Sequence, residues 1–341
     1  MKYSFIGLLT AVLLISSLST LTAQGTSKYK VVKTFPIASS GGWDYIAVGP
    51  GNNRLYVSHG TQVNILNQET GDSVGVIPGT TGVHGIAFVP ALNKGYTSNG
   101  KLNNVTVFDL TTNNIITQIA TGQNPDAIMY DEFSKKIITC NGRSKDLSVI
   151  DPSNNNVVAT IPVGGKPETA VSDNEGKIYV NIEDKNEISK IDITTNTVEA
   201  SWGIAPGESP TGLAIDTKTK RLFAGCEKLL IVVDATSGKV VDKLAIADGC
   251  DGVAFDNNLK YVFASCGEGK LSIVQELSAD KFQVIDNVPT KRSARTIALD
   301  ETKHEIYLPG ADTEKAAAGE RPKMIPGTFQ ILVVKISVNP H

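Results

Sequence analysis

The chain has 341 residues, with 32 Lys and Arg against 35 Asp and Glu and a net charge of −3. That balance argues against the broad basic footprint of a nucleic-acid binder, and no low-complexity tract or long charge run appears. Length alone would suggest two domains, but an internal repeat overrules that expectation.

Residues 1–23 read as a secretory signal peptide. Lys2 opens it, a short apolar stretch from Phe5 to Ile15 follows, and Ala23 closes a small-residue cleavage site. The apolar stretch is too short for the roughly 20 residues of a membrane span, and no Cys follows it to carry a lipid. The expectation is an exported, periplasmic or secreted protein in which residues 24–341 form one domain, without a membrane anchor and as a monomer.

Residues 30–37 have the alternation of a single outer strand with no partners before it. From there a unit returns about every 42 residues, seven times. Each begins with a polar anchor: Asp44, His84, Asp126, Glu168, Thr211, Asp251 and Arg295, spaced 40 to 44 residues apart. An apolar run follows the anchor, then a turn, then a strand with an aromatic at Tyr56, Tyr96, Tyr179, Phe223, Phe263 and Tyr307 (Ile138 in the third unit). A landmark stands 15 residues after the anchor, or 14 in the fourth unit: His59, Asn99, Asn141, Ile182, Cys226, Cys266 and Gly310. A third alternating strand ends at an acid, as at Asp109, Asp151, Asp192 and Asp234, where a carboxylate accepts turn amides. Short strands at this period predict an all-β, seven-bladed β-propeller of four-stranded blades. The last unit lacks a fourth strand, so the N-terminal strand should complete it and close the ring, removing the exposed edges.

Two segments depart from the pattern. About 18 residues, 310–327, separate two strands of the last unit where other units use a few, which leaves either a lid or partner-contacting loop or a loose surface insertion. Four cysteines in an exported chain invite disulfides. Cys226, Cys250 and Cys266 should gather on one side of units five and six, as a bridge involving Cys250 or as free buried thiols, and Cys140 points to the other face of its strand.

The start of each first strand and the end of each second strand meet at one channel mouth. There the expected oxygen donors for a metal are Asp44, Asp126, Glu168 and Asp251; the expected ligand-binding groups are His59, His84, Asn99, Asn141, Arg143, Glu183 and Arg295. Crowded carboxylates raise one another's pKa unless a cation or Arg compensates. Oxygen donors suit Ca²⁺, and adding His59 or His84 tilts the set toward Zn²⁺ or another transition metal. Each carboxylate could equally cap a strand. Trp43 could floor a pocket or pack in a blade. No nucleophile elbow, P-loop, dinucleotide fingerprint or haem-attachment motif occurs, although Ser58 and Ser98 neighbour their landmarks.

Segments such as Arg54-Leu-Tyr-Val-Ser-His59, Gly95-Tyr-Thr-Ser-Asn99 and Lys177-Ile-Tyr-Val-Asn181, with the following Val-x-Val-hydrophobic-Asp strands, resemble the YVTN β-propeller repeat. Over residues 24–341 the chain resembles the YncE-like exported proteins. The resemblance implies the propeller fold and leaves activity open, since function sits on sites grafted onto a shared scaffold; nucleic-acid binding is suggested for one branch, which this charge balance does not favour. His59, Ile182, Cys226 and Cys266 stand where the repeat favours Asn. The leading expectation is a binding module holding a small polar ligand, a metal or a partner segment at the mouth. The alternative is a metal-dependent hydrolase of an ester or lactone, with His84 or a ring carboxylate as general base.

Overall fold

A computed structural model describes residues 28–315 and 323–336; the expected signal peptide and the middle of the 310–327 segment lie outside the described residues. Blade one comprises β2 (Trp43–Val48), β3 (Arg54–His59), β4 (Gln62–Asn67) and β5 (Ser73–Ile77), preceded by β1 (Tyr29–Pro36). Blade two is β6 (Val83–Val89), β7 (Lys94–Asn99), β8 (Asn104–Asp109) and β9 (Ile115–Ala120). Blade three is β10 (Pro125–Asp131), β11 (Lys136–Asn141), β12 (Asp146–Asp151) and β13 (Asn156–Pro162). Blade four is β14 (Pro167–Ser172), β15 (Lys177–Ile182), β16 (Glu187–Asp192) and β17 (Thr197–Gly203). Blade five is β18 (Leu213–Asp216), β19 (Arg221–Gly225), β20 (Leu229–Asp234) and β21 (Val240–Ala245). Blade six is β22 (Cys250–Asp256), β23 (Tyr261–Cys266), β24 (Lys270–Ser278) and β25 (Lys281–Pro289). Blade seven is β26 (Ala298–Asp300), β27 (Glu305–Gly310) and β28 (Gln330–Ile336), completed on its outer edge by β1.

The protein is therefore an all-β, seven-bladed propeller whose last blade is closed by the N-terminal strand. β1 pairs antiparallel with β28 from Tyr29 opposite Ile336 to Pro36 opposite Gln330. Phe35 and Ile37 anchor that strand by burying into the core between blades seven and one. Among the described residues, no helix is long and apolar enough to cross a membrane.

Each blade is too thin to bury both faces alone, so the core is divided among the blade interfaces. Seven apolar clusters fill the seven junctions between consecutive blades. The repeated aromatic is the largest member in most of them: Tyr56, Tyr96, Phe223 and Tyr307 are fully buried. Tyrosine at this position needs a partner for its hydroxyl, and Tyr179 donates to the Ala235 carbonyl of the next blade at 3.0 Å. At the outer turns the recurring aspartates act as expected. Asp109 accepts the amides of Thr111 and Thr112, and Asp151 that of Ser153. Hydrogen bonds from Ser153 and the Lys136 ammonium hold Asp151 down at about 2. The described part of the 310–327 segment begins as a hairpin: Thr313 bridges Met324, and the Glu314 amide donates to the Lys323 carbonyl.

Candidate functional site

The innermost strands carry the site, and an irregularity in them aims it. In blades one to four and six the ladder between the two inner strands skips a register just at the anchor. The shifts fall between Trp43 and Ile46, Val83 and Ile86, Pro125 and Ile128, Pro167 and Ala170, and Cys250 and Gly252. Such bulges re-aim a side chain and occur next to functional sites. Here they set Asp44, His84, Asp126, Glu168 and Asp251 facing one another at the head of the channel. In blades five and seven the innermost strand starts later, at Leu213 and Ala298, so Thr211 and Arg295 precede it.

Small hydroxyl and amide side chains support the bulged backbone. Ser98 Oγ accepts the Gly85 amide and donates to the Asp126 carbonyl of the next blade. Thr211 Oγ1 donates to the Cys250 carbonyl at 2.6 Å, Ser265 Oγ to the Ala294 carbonyl, and Thr296 Oγ1 to the Asp44 carbonyl. Ser58 Oγ likewise accepts the Asp44 amide and donates to the Tyr45 carbonyl, so Ser58 and Ser98, weighed as nucleophile candidates, have structural work at the bulges.

Five charged groups form a continuous chain across the mouth. Arg295 pairs with Asp251 on one side and approaches Asp44 at 3.6 Å on the other. Asp44 Oδ2 lies 2.6 Å from His84 Nδ1, and that nitrogen lies 3.7 Å from Asp126 Oδ1. In blade four Lys166 bridges Glu168, 2.6 Å away, and Glu183. The ligand atoms of Asp44, His84 and Asp126 all lie within 4.8 Å of one another, the one such group of three or more among the described residues.

Charge in the ring is not balanced. Four carboxylates and Glu183 face Arg295, Lys166 and a titratable imidazole. Burial pushes Asp126 up to about 6, opposed by His84 and reinforced by Asp44 and Asp251. Burial, then the charge of Asp126, pushes Glu168 upward despite the Lys166 ammonium. Burial raises Asp251 too, against Arg295. Burial pulls the His84 imidazole down, but the Asp44 hydrogen bond and the nearby carboxylates outweigh it and leave His84 raised. Below the ring the channel becomes apolar. A cavity of about 170 Å³ is lined by Ile46, Ile86, Ile128, Met129, Val253 and Ile297, with Asp251 among its walls.

The landmark row does not join this ring. The register sets His59 opposite Trp43, Asn99 opposite Val83 and Asn141 opposite Pro125, each the residue before an anchor. Cross-strand partners share a face and adjacent residues alternate, so these side chains turn away from the anchors. His59 is fully buried, held by Ser39 Oγ at Nδ1 and the Gly41 carbonyl at Nε2, and burial lowers its pKa. Asn99 donates to Asn104 and Thr106, and Asn141 to Asp146 and Ser148, within their own blades. Arg143 is exposed in the turn after β11. Glu183 reaches the ring through Lys166. Trp43 stacks on Phe329 at 5.0 Å between blades seven and one. All four cysteines are buried thiols.

Three participants carry no signal in the repeat. Lys166 stands two residues before its anchor, outside any repeated position. Tyr45 shares the bulge with Asp44; burial, then all four ring carboxylates, raise its phenol. Gly100 backs the His84 ring, where an added Cβ would lie 2.7 Å from Nε2.

Fold and site together define a seven-bladed β-propeller with an acidic, imidazole-bearing channel mouth. No family model matches the chain, and no curated protein matches it. Among solved structures it is similar to a chain of Kuenenia stuttgartiensis hydrazine synthase, with a TM-score of 0.73 and 15% identity. The match covers 88% of this chain and 97% of that one. At that identity the likeness is one of fold alone.

Proposed function

We propose that this propeller is a binding module whose channel mouth takes up a divalent transition-metal ion or another small cationic group. The observation that carries the reading is the convergence of Asp44, His84 and Asp126 from three blades within 4.8 Å. One imidazole nitrogen and two carboxylates suit Zn²⁺ better than Ca²⁺. Glu168 and Asp251 flank them, and the raised carboxyls supply the electrostatic reason: the ring holds more buried negative charge than its own cations compensate. The repeat residues support placing the protein with the YVTN-repeat, YncE-like propellers, and residues 1–23 support export to the periplasm or beyond.

The test is elemental analysis of the purified protein after incubation with Zn²⁺ or Ca²⁺ and buffer exchange. Near one equivalent of Zn²⁺ is expected, lost in His84→Ala and in Asp126→Ala. Retention of neither metal by the folded wild type would refute the metal reading.

Asp251, its carboxyl raised by burial and lining the apolar cavity, favours a second reading. A metal-dependent hydrolase would place an ester or lactone carbonyl at the ring and its apolar part in the channel, with Asp251, outside the ligand set, as general base. Zn²⁺-loaded protein should then hydrolyse short acyl esters or lactones, and Asp251→Ala should lose that activity while keeping its Zn²⁺ and its circular dichroism. Metal binding without turnover would leave the binding module and exclude the hydrolase.

A further inference from the structure

Blade six places two thiols face to face. β22 opens with Cys250, β23 ends with Cys266, and the register sets them directly opposite each other. The Gly267 amide donates to the Gly249 carbonyl at 2.7 Å. A bond joining the residue after Cys266 to the residue before Cys250 marks the pair as a non-hydrogen-bonded site of the antiparallel ladder. At such sites the α-carbons approach to about 4.5 Å and the side chains lie closest, a separation that a disulfide spans. Both side chains pack in the same buried cluster between blades five and six. Blade five leaves room for them, because Gly225 faces Cys250 and a methyl there would lie 2.5 Å from its sulfur.

Cys226 lies nearby at the equivalent position of blade five, which raises the choice between a thiolate metal site and a covalent bond. The thiols of blades five and six do not converge as a chelating set: among the described residues the clustered metal-ligand atoms are those of the channel mouth. Cys226 packs in the core between blades four and five, whereas Cys250 and Cys266 share the core between blades five and six.

We propose that Cys250 and Cys266 are the reduced form of a cross-strand disulfide, closed when the chain folds in the presence of a disulfide oxidant, with Cys140 and Cys226 remaining thiols. One thiol of the pair loses its proton, attacks an external disulfide such as oxidised glutathione and expels one thiolate. The second thiolate attacks that mixed disulfide and expels the other. The protein gives up two electrons and two protons, and the oxidant becomes two thiols. Both sulfurs are buried in the finished propeller, so the exchange belongs to the open β22–β23 hairpin, before blades five and seven cover it. The bond would fasten the head of β22 beside Asp251, on the backbone whose Cys250 carbonyl receives the Thr211 hydroxyl. It thus bears on the ring without supplying a ligand to it.

The full chain is refolded from reducing denaturant into a mixture of oxidised and reduced glutathione. Free thiols are then alkylated under denaturing, non-reducing conditions and the digest is mapped by mass spectrometry. A parallel sample of natively purified protein, treated with oxidised glutathione at a urea concentration below its unfolding transition, gives a reading that does not depend on refolding yield. Expected are two alkylated cysteines of the four present, Cys140 and Cys226, with the Cys250 and Cys266 peptides linked until reductant is added. The Cys226→Ser variant should give the same linked pair. Four alkylated cysteines in both samples, or a bond that includes Cys226 or Cys140, would overturn the proposal.

Discussion

Asp126 shows how a single buried carboxyl can be held at the expense of the fold. Its carboxyl is raised from 3.8 to about 6, chiefly by burial. A group whose folded pKa exceeds its unfolded value favours the fold when protonated. Its contribution is therefore complete below about pH 4 and is lost as pH rises through 6. A shift of this size corresponds to roughly 1–3 kcal/mol. Without metal, Asp126→Asn should stabilise the protein by about that much at pH 8 and by little at pH 4, in urea melts at the two values. The same variant should bind Zn²⁺ poorly, a trade expected where a site stores unfavourable charge. Gly100 allows a complementary experiment. Its backbone does not occupy the left-handed region, so alanine fits the chain. Its Cβ would nevertheless crowd His84 Nε2 and Asn124 Oδ1, at 2.7 and 2.8 Å. Gly100→Ala should weaken Zn²⁺ binding at least tenfold by titration calorimetry while shifting the melting temperature only slightly.

At the scale of elements, closure of the seventh blade is the feature most exposed to test. β1 supplies the outer edge of that blade and seats Phe35 in the core between blades seven and one. Phe35→Ala should cost about 3–5 kcal/mol, read by chemical denaturation. A chain lacking residues 1–38 should expose the edge of β28 and aggregate, seen as loss of the wild-type peak in size-exclusion chromatography. This closure is legible in the amino-acid sequence, because residues 30–37 alternate like an outer strand and the last unit lacks one. The anchor row is legible for the same reason, since a period fixes equivalent positions. The turn away from the mouth of His59, Asn99 and Asn141 is not. A separation of 15 residues, or 14 in the fourth unit, tells which end of a blade a residue occupies. It does not reveal the bulge that puts an extra residue between the anchor and the next paired position. Lys166 is hidden because it obeys no repeat, though a cation two residues before the buried anchor Glu168 has a charge-balance reason to be there.

For the whole molecule, a ring of blades behaves differently from a stack, because every blade has two neighbours and the closing strand comes from the far end of the chain. The acidic mouth lies where the blades meet, and its three best-placed ligand groups come from blades one, two and three. A metal held by Asp44, His84 and Asp126 would tie those blades together and bind the folded ring far better than the unfolded chain. Stability should then rise by RT ln(1 + [L]/Kd), about 2.7 kcal/mol at a free metal concentration one hundred times Kd. Metal must compete with the proton on His84 Nδ1, which the Asp44 hydrogen bond and neighbouring carboxylates hold up, and with the proton on Asp126. Both pKa values lie above their ordinary ones, so the apparent affinity should fall as pH drops from 8 to 5. Scanning calorimetry with graded Zn²⁺ at pH 8 should show a melting temperature that climbs with metal, a shallower climb at pH 5.5, and none in His84→Ala. An equal climb in His84→Ala would move the stabilising metal away from the mouth, and a pH-independent climb would remove the imidazole from its ligands.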